Sequence, residues 1–258
     1  MKFAILAACL LTLFETVAIH AAYAEENGKV SLETGVNYYT GKYGGTQSTD
    51  ILYIPITWKY TGKTWTLKLT VPYLRISGPI NVVNGVGSTG IATNTVSTRS
   101  GLGDVIAAAT YNTYSDDSRE LFVNLTGKIK FSTASSSQGI GTGKNDYSFQ
   151  TEIFRLAGRL TPFGIMGYTV YGKPTGYTLN NVFYGSIGGS YRFDLETSGG
   201  AMLSASEKNS PSGTSQLSVI FFASHKLENN WKAQAYFLKG FTDSVPSWGV
   251  GATVALPL

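Results

Sequence analysis

The chain of 258 residues contains one cysteine, Cys9, two histidines and only 14% charged side chains. Nowhere does it carry the roughly 18 or more consecutive apolar residues that a membrane-spanning helix needs. Each shortage closes a route. Cys9 falls inside an N-terminal apolar stretch expected to be removed, so the remaining chain can form no disulfide. Leu6-Ala7-Ala8-Cys9 has the look of a lipoprotein lipobox, but too little apolar chain precedes it. Removal of the same stretch leaves His225 as the last histidine. A His-based zinc site is therefore not expected, and a Ser–His pair would have to use this one residue. No metal, no cofactor and no catalytic residue is expected on these grounds. The formal charge of +4 is small and scattered, unlike the basic stripe that nucleic acid requires. Without a spanning helix, any passage through lipid must be made by strands.

What the chain does have is 30 glycines and 16 tyrosines amid abundant Ser and Thr, the composition of strands and turns. Lys2, the apolar Phe3 to Phe14 and the small-x-small Ala22-Tyr23-Ala24 before Glu25-Glu26 have the anatomy of a secretory leader, with cleavage expected after Ala24. Residues 1–24 are thus read as a signal peptide and 25–258 as the functional unit. From Val30 onward the hydropathy alternates with period two. Val30, Leu32, Thr34, Val36 and Tyr38 share one face, with Ser31, Glu33, Gly35 and Asn37 on the other. Leu52, Ile54, Ile56, Trp58 and Tyr60 repeat the pattern, as do Trp65, Leu67, Leu69, Val71 and Tyr73. Further segments begin near Val105, Leu121, Tyr147, Thr161, Val182, Gly199, Leu217, Trp231 and Trp248, giving about twelve strands.

The connections alternate in length. Short turns at Thr61–Lys63, Ser115–Ser118, Gly158, Asp194–Thr197 and Leu227–Asn230 are interleaved with longer Gly/Ser/Thr/Asn-rich links: Thr40–Thr49, Ser77–Ser100, Ser132–Asp146, Gly172–Asn181 and Glu207–Ser215. Aromatic residues mark both rims. Tyr60, Trp65, Tyr111, Phe163, Phe193 and Trp231 stand by the short turns; Tyr43, Tyr73, Phe131, Tyr147, Tyr171, Phe241 and Trp248 stand by the long links. Two such girdles are what a bilayer selects, because amphipathic rings prefer headgroup depth. The expected fold is all-β: an antiparallel up-and-down transmembrane β-barrel with both termini periplasmic, sited in a bacterial outer membrane among its lipid and lipopolysaccharide.

The interior positions then carry the functional question. Glu33, Lys68, Asp104, Glu120, Lys128, Lys130, Glu152, Arg192 and Lys232 are read as inward, interspersed with Ile106, Phe122, Phe154, Met166, Tyr168, Ile220, Phe222, Tyr236 and Leu238. Of the charged set, Glu33, Lys68, Asp104, Lys128, Lys130, Glu152 and Arg192 are the candidate lumen-lining and solute-binding residues. A single-signed lining would indicate an ion-selective pore. This mixed lining points to a channel or transporter for small solutes, aromatic and amphipathic ones among them; the alternative is a non-conducting structural or binding barrel that presents its loops. Gly139-Ile140-Gly141-Thr142-Gly143-Lys144 resembles a phosphate loop but lacks the first glycine and the Ser or Thr after the lysine, and it leads into a strand. His225 shares the outward register of Val219, Phe221 and Ala223 beside a short turn, the place of an interfacial polar side chain.

Three segments carry a family likeness: Ser100-Gly101-Leu102-Gly103-Asp104 leading into a strand, Gly139 to Asp146 with its Gly-x-Gly-x-Gly and acidic close, and Phe163-Gly164-Ile165-Met166-Gly167-Tyr168-Thr169. Together they resemble the family named for the MetA pathway of phenol degradation, regarded as outer-membrane transporters. The resemblance runs over most of the mature chain and implies that Gly101, Gly103 and Asp104 make a tight loop-to-strand transition whose carboxylate faces the lumen. Glycines required by a bend or bulge would read the same. The chain departs from barrels of this kind in ending on Leu258 rather than on an aromatic residue.

Overall fold

Runs in which branched or aromatic residues alternate with small polar ones become strands, and each strand pairs with the next along the chain. The computed structural model describes residues 28–79, 82–83, 87–88, 96–175, 178–211 and 213–258. The leader expected at 1–24 and much of the 77–100 link lie outside them. The strands are β1 (Lys29–Gly41), β2 (Thr49–Thr61), β3 (Trp65–Pro79), β4 (Val82–Val83), β5 (Gly87–Ser88), β6 (Val96–Leu102), β7 (Val105–Asp116), β8 (Leu121–Phe131), β9 (Asp146–Arg155), β10 (Leu160–Val170), β11 (Val182–Arg192), β12 (Thr197–Ser206), β13 (Gln216–Lys226), β14 (Lys232–Gly240) and β15 (Trp248–Pro257). All pairings are antiparallel. β1 pairs with β15 from Ser31↔Pro257 to Thr40↔Trp248, which closes the sheet on itself and leaves the wall no open edge.

β6 and β7 both lie on β3 and together make one strand of the wall, while β4 and β5 pair with each other, so the barrel wall has twelve strands. Gly28 N bonds to the Thr61 carbonyl and Leu258 N to that of Val30, so both ends of the described chain sit at the short-turn rim. Among the described residues there is no α-helix.

The outer face is apolar. Val36, Ile56, Leu69, Phe149, Met166, Ile187, Phe221 and Val250 are all exposed, and they come from strands all around the ring. A band of that extent exceeds what a water-soluble surface tolerates and matches a hydrocarbon layer. Aromatic rings border it: Trp65, Tyr111, Phe193 and Trp231 at the short-turn rim, Tyr73, Phe131, Tyr147, Phe241 and Trp248 at the other. Trp65 and Tyr111 pack at 4.7 Å between centroids, and Tyr38 with Trp248 at 5.6 Å. This closed barrel with its belt is an outer-membrane barrel.

Three of the expected girdle residues belong elsewhere. Phe163 is buried on the inner wall, and Tyr43 and Tyr171 are buried in loops that fold over the long-loop end. Met166 and Tyr168, expected inside, point outward, because Phe163 pairs with Phe154 and Ile165 with Glu152, both inward residues. Glu120 lies in a turn, exposed, with φ of 53°.

Candidate functional site

The wall strand β6–β7 is broken at Gly103-Asp104. Tyr73 pairs with Leu102 but Thr70 pairs with Ile106, so β3 meets one extra residue there. Such a β-bulge turns both Gly103 and Asp104 inward. Gly103 N bonds to the Pro72 carbonyl at 2.8 Å, and a Cβ at Gly103 would stand 2.7 Å from a Leu74 methyl, so the bulge requires glycine. The carboxylate of Asp104 thereby reaches Lys130 Nζ at 2.8 Å, while Asp146 Oδ2 stands 3.0 Å from the same ammonium. Asp104 Oδ1 accepts the Ala134 backbone N–H at 2.9 Å, and Asp146 Oδ1 accepts that of Gly172 at 2.9 Å.

This triad is where the Ser100–Asp104 and Gly139–Asp146 segments meet. The link between β8 and β9 folds back onto it: Thr133 Oγ1 donates to the Gly103 carbonyl, Arg99 Nε donates to that of Gly139, and Ile140 is buried. A Cβ on Gly141 would lie 2.8 Å from the Ala134 methyl and 3.1 Å from Asp104 Oδ1, so this turn passes as close to the carboxylate as its backbone allows. Tyr43, Leu179 and Val245 from other long links join the same buried cluster. The glycine run that resembles a phosphate loop is thus the packing surface of a loop held against the wall.

Toward the short turns the lining is different. Lys59, Lys68, Ala108, Lys128 and Ser148 follow one ladder line across β2, β3, β7, β8 and β9. Glu33 accepts from Lys59 Nζ at 3.2 Å. Lys68 is near enough to Glu33 and to Glu152 to act on both charges, and Lys232 also acts on Glu33. Glu152 accepts from Asn124 Nδ2 at 3.1 Å. Aromatic faces are set among these groups. Phe122 and Phe154 stack at 5.1 Å, Tyr184 donates to Gln150 Oε1 at 3.0 Å, and Tyr236 donates to Asn37 Oδ1 at 2.8 Å while its hydroxyl also bonds that of Tyr39.

Six of the seven candidate residues therefore face the interior: Asp104 and Lys130 at the mouth, Glu33, Lys68, Lys128 and Glu152 along the wall. Arg192 keeps inward parity but ends β11 at the short-turn rim, exposed, and donates to the Gly158 carbonyl at 3.3 Å. Lys59 and Asp146 complete the ion pairs and were not among the candidates. Lys59 was legible, since it alternates with Trp58 and Tyr60; Asp146 was hidden because it stands where a loop becomes a strand. On the outer face, His225 Nδ1 lies 2.9 Å from Thr197 Oγ1 across neighbouring strands. In the adjoining turn Asp194 accepts the backbone N–H groups of Glu196 and Thr197, which hold its carboxyl below the ordinary carboxylate value.

A family profile described as "Putative MetA-pathway of phenol degradation" matches residues 19–258. Among curated proteins, no sequence matches. Among solved structures, an outer membrane channel from Pseudomonas putida F1 superposes with a TM-score of 0.70 at 11% identity, over 91% of this chain and 97% of that one. The NanC porin gives 0.55 at 10% identity, over 87% and 97%. The CymD monoaromatic hydrocarbon channel gives 0.50 at 11% identity, over 90% and 88%.

Proposed function

The chain belongs to the family of the MetA pathway of phenol degradation, and from that premise we propose that it is an outer-membrane passage for small solutes with an aromatic or amphipathic body. The observation that carries this reading is the inner wall, where the rings of Phe122, Phe154, Phe163, Tyr184 and Tyr236 alternate with hydroxyl, amide and charged groups. Aromatic faces give an apolar body a weak, repeated foothold, and polar neighbours replace part of the water shed by its polar end. A permeant must bind well enough to enter and weakly enough to leave. The channel and hydrocarbon-channel folds that superpose on this barrel support the same reading.

The reading places the leader at 1–24, the barrel at 25–258, and both termini on the periplasmic side with the long loops outward. Single-channel conductance of the exported chain in a planar bilayer tests it. Steady conductance that an aromatic acid or a simple sugar blocks is expected; a folded, heat-modifiable barrel with no conductance would overturn it. A second reading, a non-conducting barrel that presents its loops to a partner, draws on the burial of Tyr43, Ile140, Leu179 and Val245 together at the long-loop end. Under that reading, trimming residues 132–145 would abolish function and leave permeability unchanged.

A further inference from the structure

We propose that the tip of the link between β8 and β9, residues 134–141, is a flap that gates the long-loop mouth, with Ile140 as its stopper. The proposal rests on the passage reading above and says where that passage opens. Inward-facing side chains are shut off at one end of the lumen and not at the other. Leu74, Ile76, Val182, Ile220 and Leu238, toward the long links, have no exposed surface. Thr66, Thr110, Ser190, Ser198 and Ser224, toward the short turns, are half-buried. Among the described residues, Tyr43, Ile140, Tyr171, Leu179 and Val245 from four long links join the aromatic residues of the lumen in one buried cluster. A solute can therefore pass the long-loop end only if a link moves.

The link between β8 and β9 is built to separate from the rest. Three of its neighbours are bonded to one another: Asn180 N donates to the Asn209 carbonyl at 2.8 Å, and Thr214 N donates to Ser244 Oγ at 3.1 Å. The tip of the β8–β9 link instead closes on itself. Gly139 N donates to the Ser136 carbonyl and Ile140 N to that of Ser135, both at 3.1 Å, so the tip can move as one piece. Thr133, bonded to the Gly103 carbonyl, anchors the chain before it. Behind it Gly143 holds a φ of 69°, the left-handed region in which glycine turns without strain. Three contacts hold the piece down. Ala134 N donates to Asp104 Oδ1 at 2.9 Å, Arg99 Nε donates to the Gly139 carbonyl at 3.2 Å, and Ile140 fills the notch left by Gly101. A Cβ on Gly101 would stand 3.0 Å from Ile140 Cδ1, so this glycine is the seat of the stopper. Two polar contacts and one apolar side chain are the light hold from which opening segments are drawn.

The test ties the stopper to its seat. Ile140 Cδ1 lies two bonds from its own Cβ, so Gly101→Cys with Ile140→Cys places two thiols within reach of a disulfide. Barrel carrying the pair is purified from outer membranes and its current in a planar bilayer is read oxidised and then reduced. The expected result is a several-fold lower current in the oxidised form that reductant restores, with the unsubstituted barrel indifferent to both treatments. Because each molecule is its own control, a folding defect cannot imitate this. Equal currents in the two forms would overturn the gate and leave the passage reading standing. If the unsubstituted barrel passes no current, the passage reading fails, and the flap is decided by labelling of Ile140→Cys alone with a membrane-impermeant maleimide on outer-membrane fragments. Slow labelling that Arg99→Gln speeds roughly tenfold, the value of one charge-assisted hydrogen bond, upholds a moving flap. A rate that Arg99→Gln leaves unchanged overturns it.

Discussion

Two lysine sites share one lumen and differ in how their charge is met. At the mouth, Lys130 stands between Asp104 and Asp146, and each carboxylate also takes a backbone N–H from a loop, at Ala134 and at Gly172. On the wall below, Lys68 and Lys128 flank the methyl of Ala108, in a stretch where lysines outnumber carboxylates. The first arrangement spends its charge on tying loops to the wall. The second sets Lys68 within reach of two wall carboxylates, Glu33 and Glu152, and ties down no loop. Residue type does not separate a lysine that fastens loops from one that lines the wall here; the neighbours do.

The comparison breaks most readily at Lys130. Lys130→Met would leave two buried carboxylates facing each other without a cation, and breaking a buried pair in this way costs about 3–5 kcal/mol. Urea unfolding of the refolded barrel measures it. A loss no larger than that of Lys68→Met would show that the mouth triad has no special structural role. Leu69→Lys sharpens the contrast from the other side of the wall. It places a lysine one residue beyond Lys68 but facing lipid, where it should cost about 2–4 kcal/mol near the midplane; normal assembly in the outer membrane would mean the register is wrong. Gly141→Ala forces a methyl against Ala134 and Asp104 and should cost about 1–3 kcal/mol by overpacking, read as a lower urea midpoint with the fold retained.

The smallest effect lies outside the membrane span, in the turn at Asp194. Its carboxyl is lowered by the two backbone N–H groups it accepts. Its contribution is therefore complete above the ordinary carboxylate value and fades as pH falls through the lowered one. Asp194→Ala should therefore lower stability slightly at neutral pH, leave it nearly unchanged below the lowered value, and so flatten the acid side of the unfolding profile, read as urea midpoints across pH.

Strand number and most of the register were legible because β1, β2 and β3 alternate cleanly, and so Glu33, Lys68, Lys128 and Glu152 fall where parity places them. β10 was not. Phe163, Ile165, Met166 and Tyr168 are interrupted by Gly164 and Gly167, and two apolar residues in succession leave parity undefined until Glu152 and Phe154 on β9 fix it. β6 escaped notice because Val96-Ser97-Thr98-Arg99-Ser100 has no apolar face; it extends the wall at the long-loop end, paired only with β3 among the described strands. Tyr43 and Tyr171 look like girdle residues in a linear reading, since an inward fold of their loops depends on partners distant in sequence. Arg192 shows the limit of parity alone, which gives a direction but not a depth.

The Tyr39, Tyr236 and Asn37 network has a bearing on how the barrel is made. Tyr39 and Tyr236 are 197 residues apart, on strands that flank β15 on either side of the closing seam. Their hydroxyls meet only when β15 pairs in this register with β1 on one side and β14 on the other, so the network ties ring closure to a single register. A two-residue slip at the seam would keep every side chain on its proper face and escape the hydrophobic pattern, but it would strand these buried polar groups, each at about 1–3 kcal/mol. Errors that the alternation cannot detect are thereby made costly at the pairing that joins the two ends of the chain.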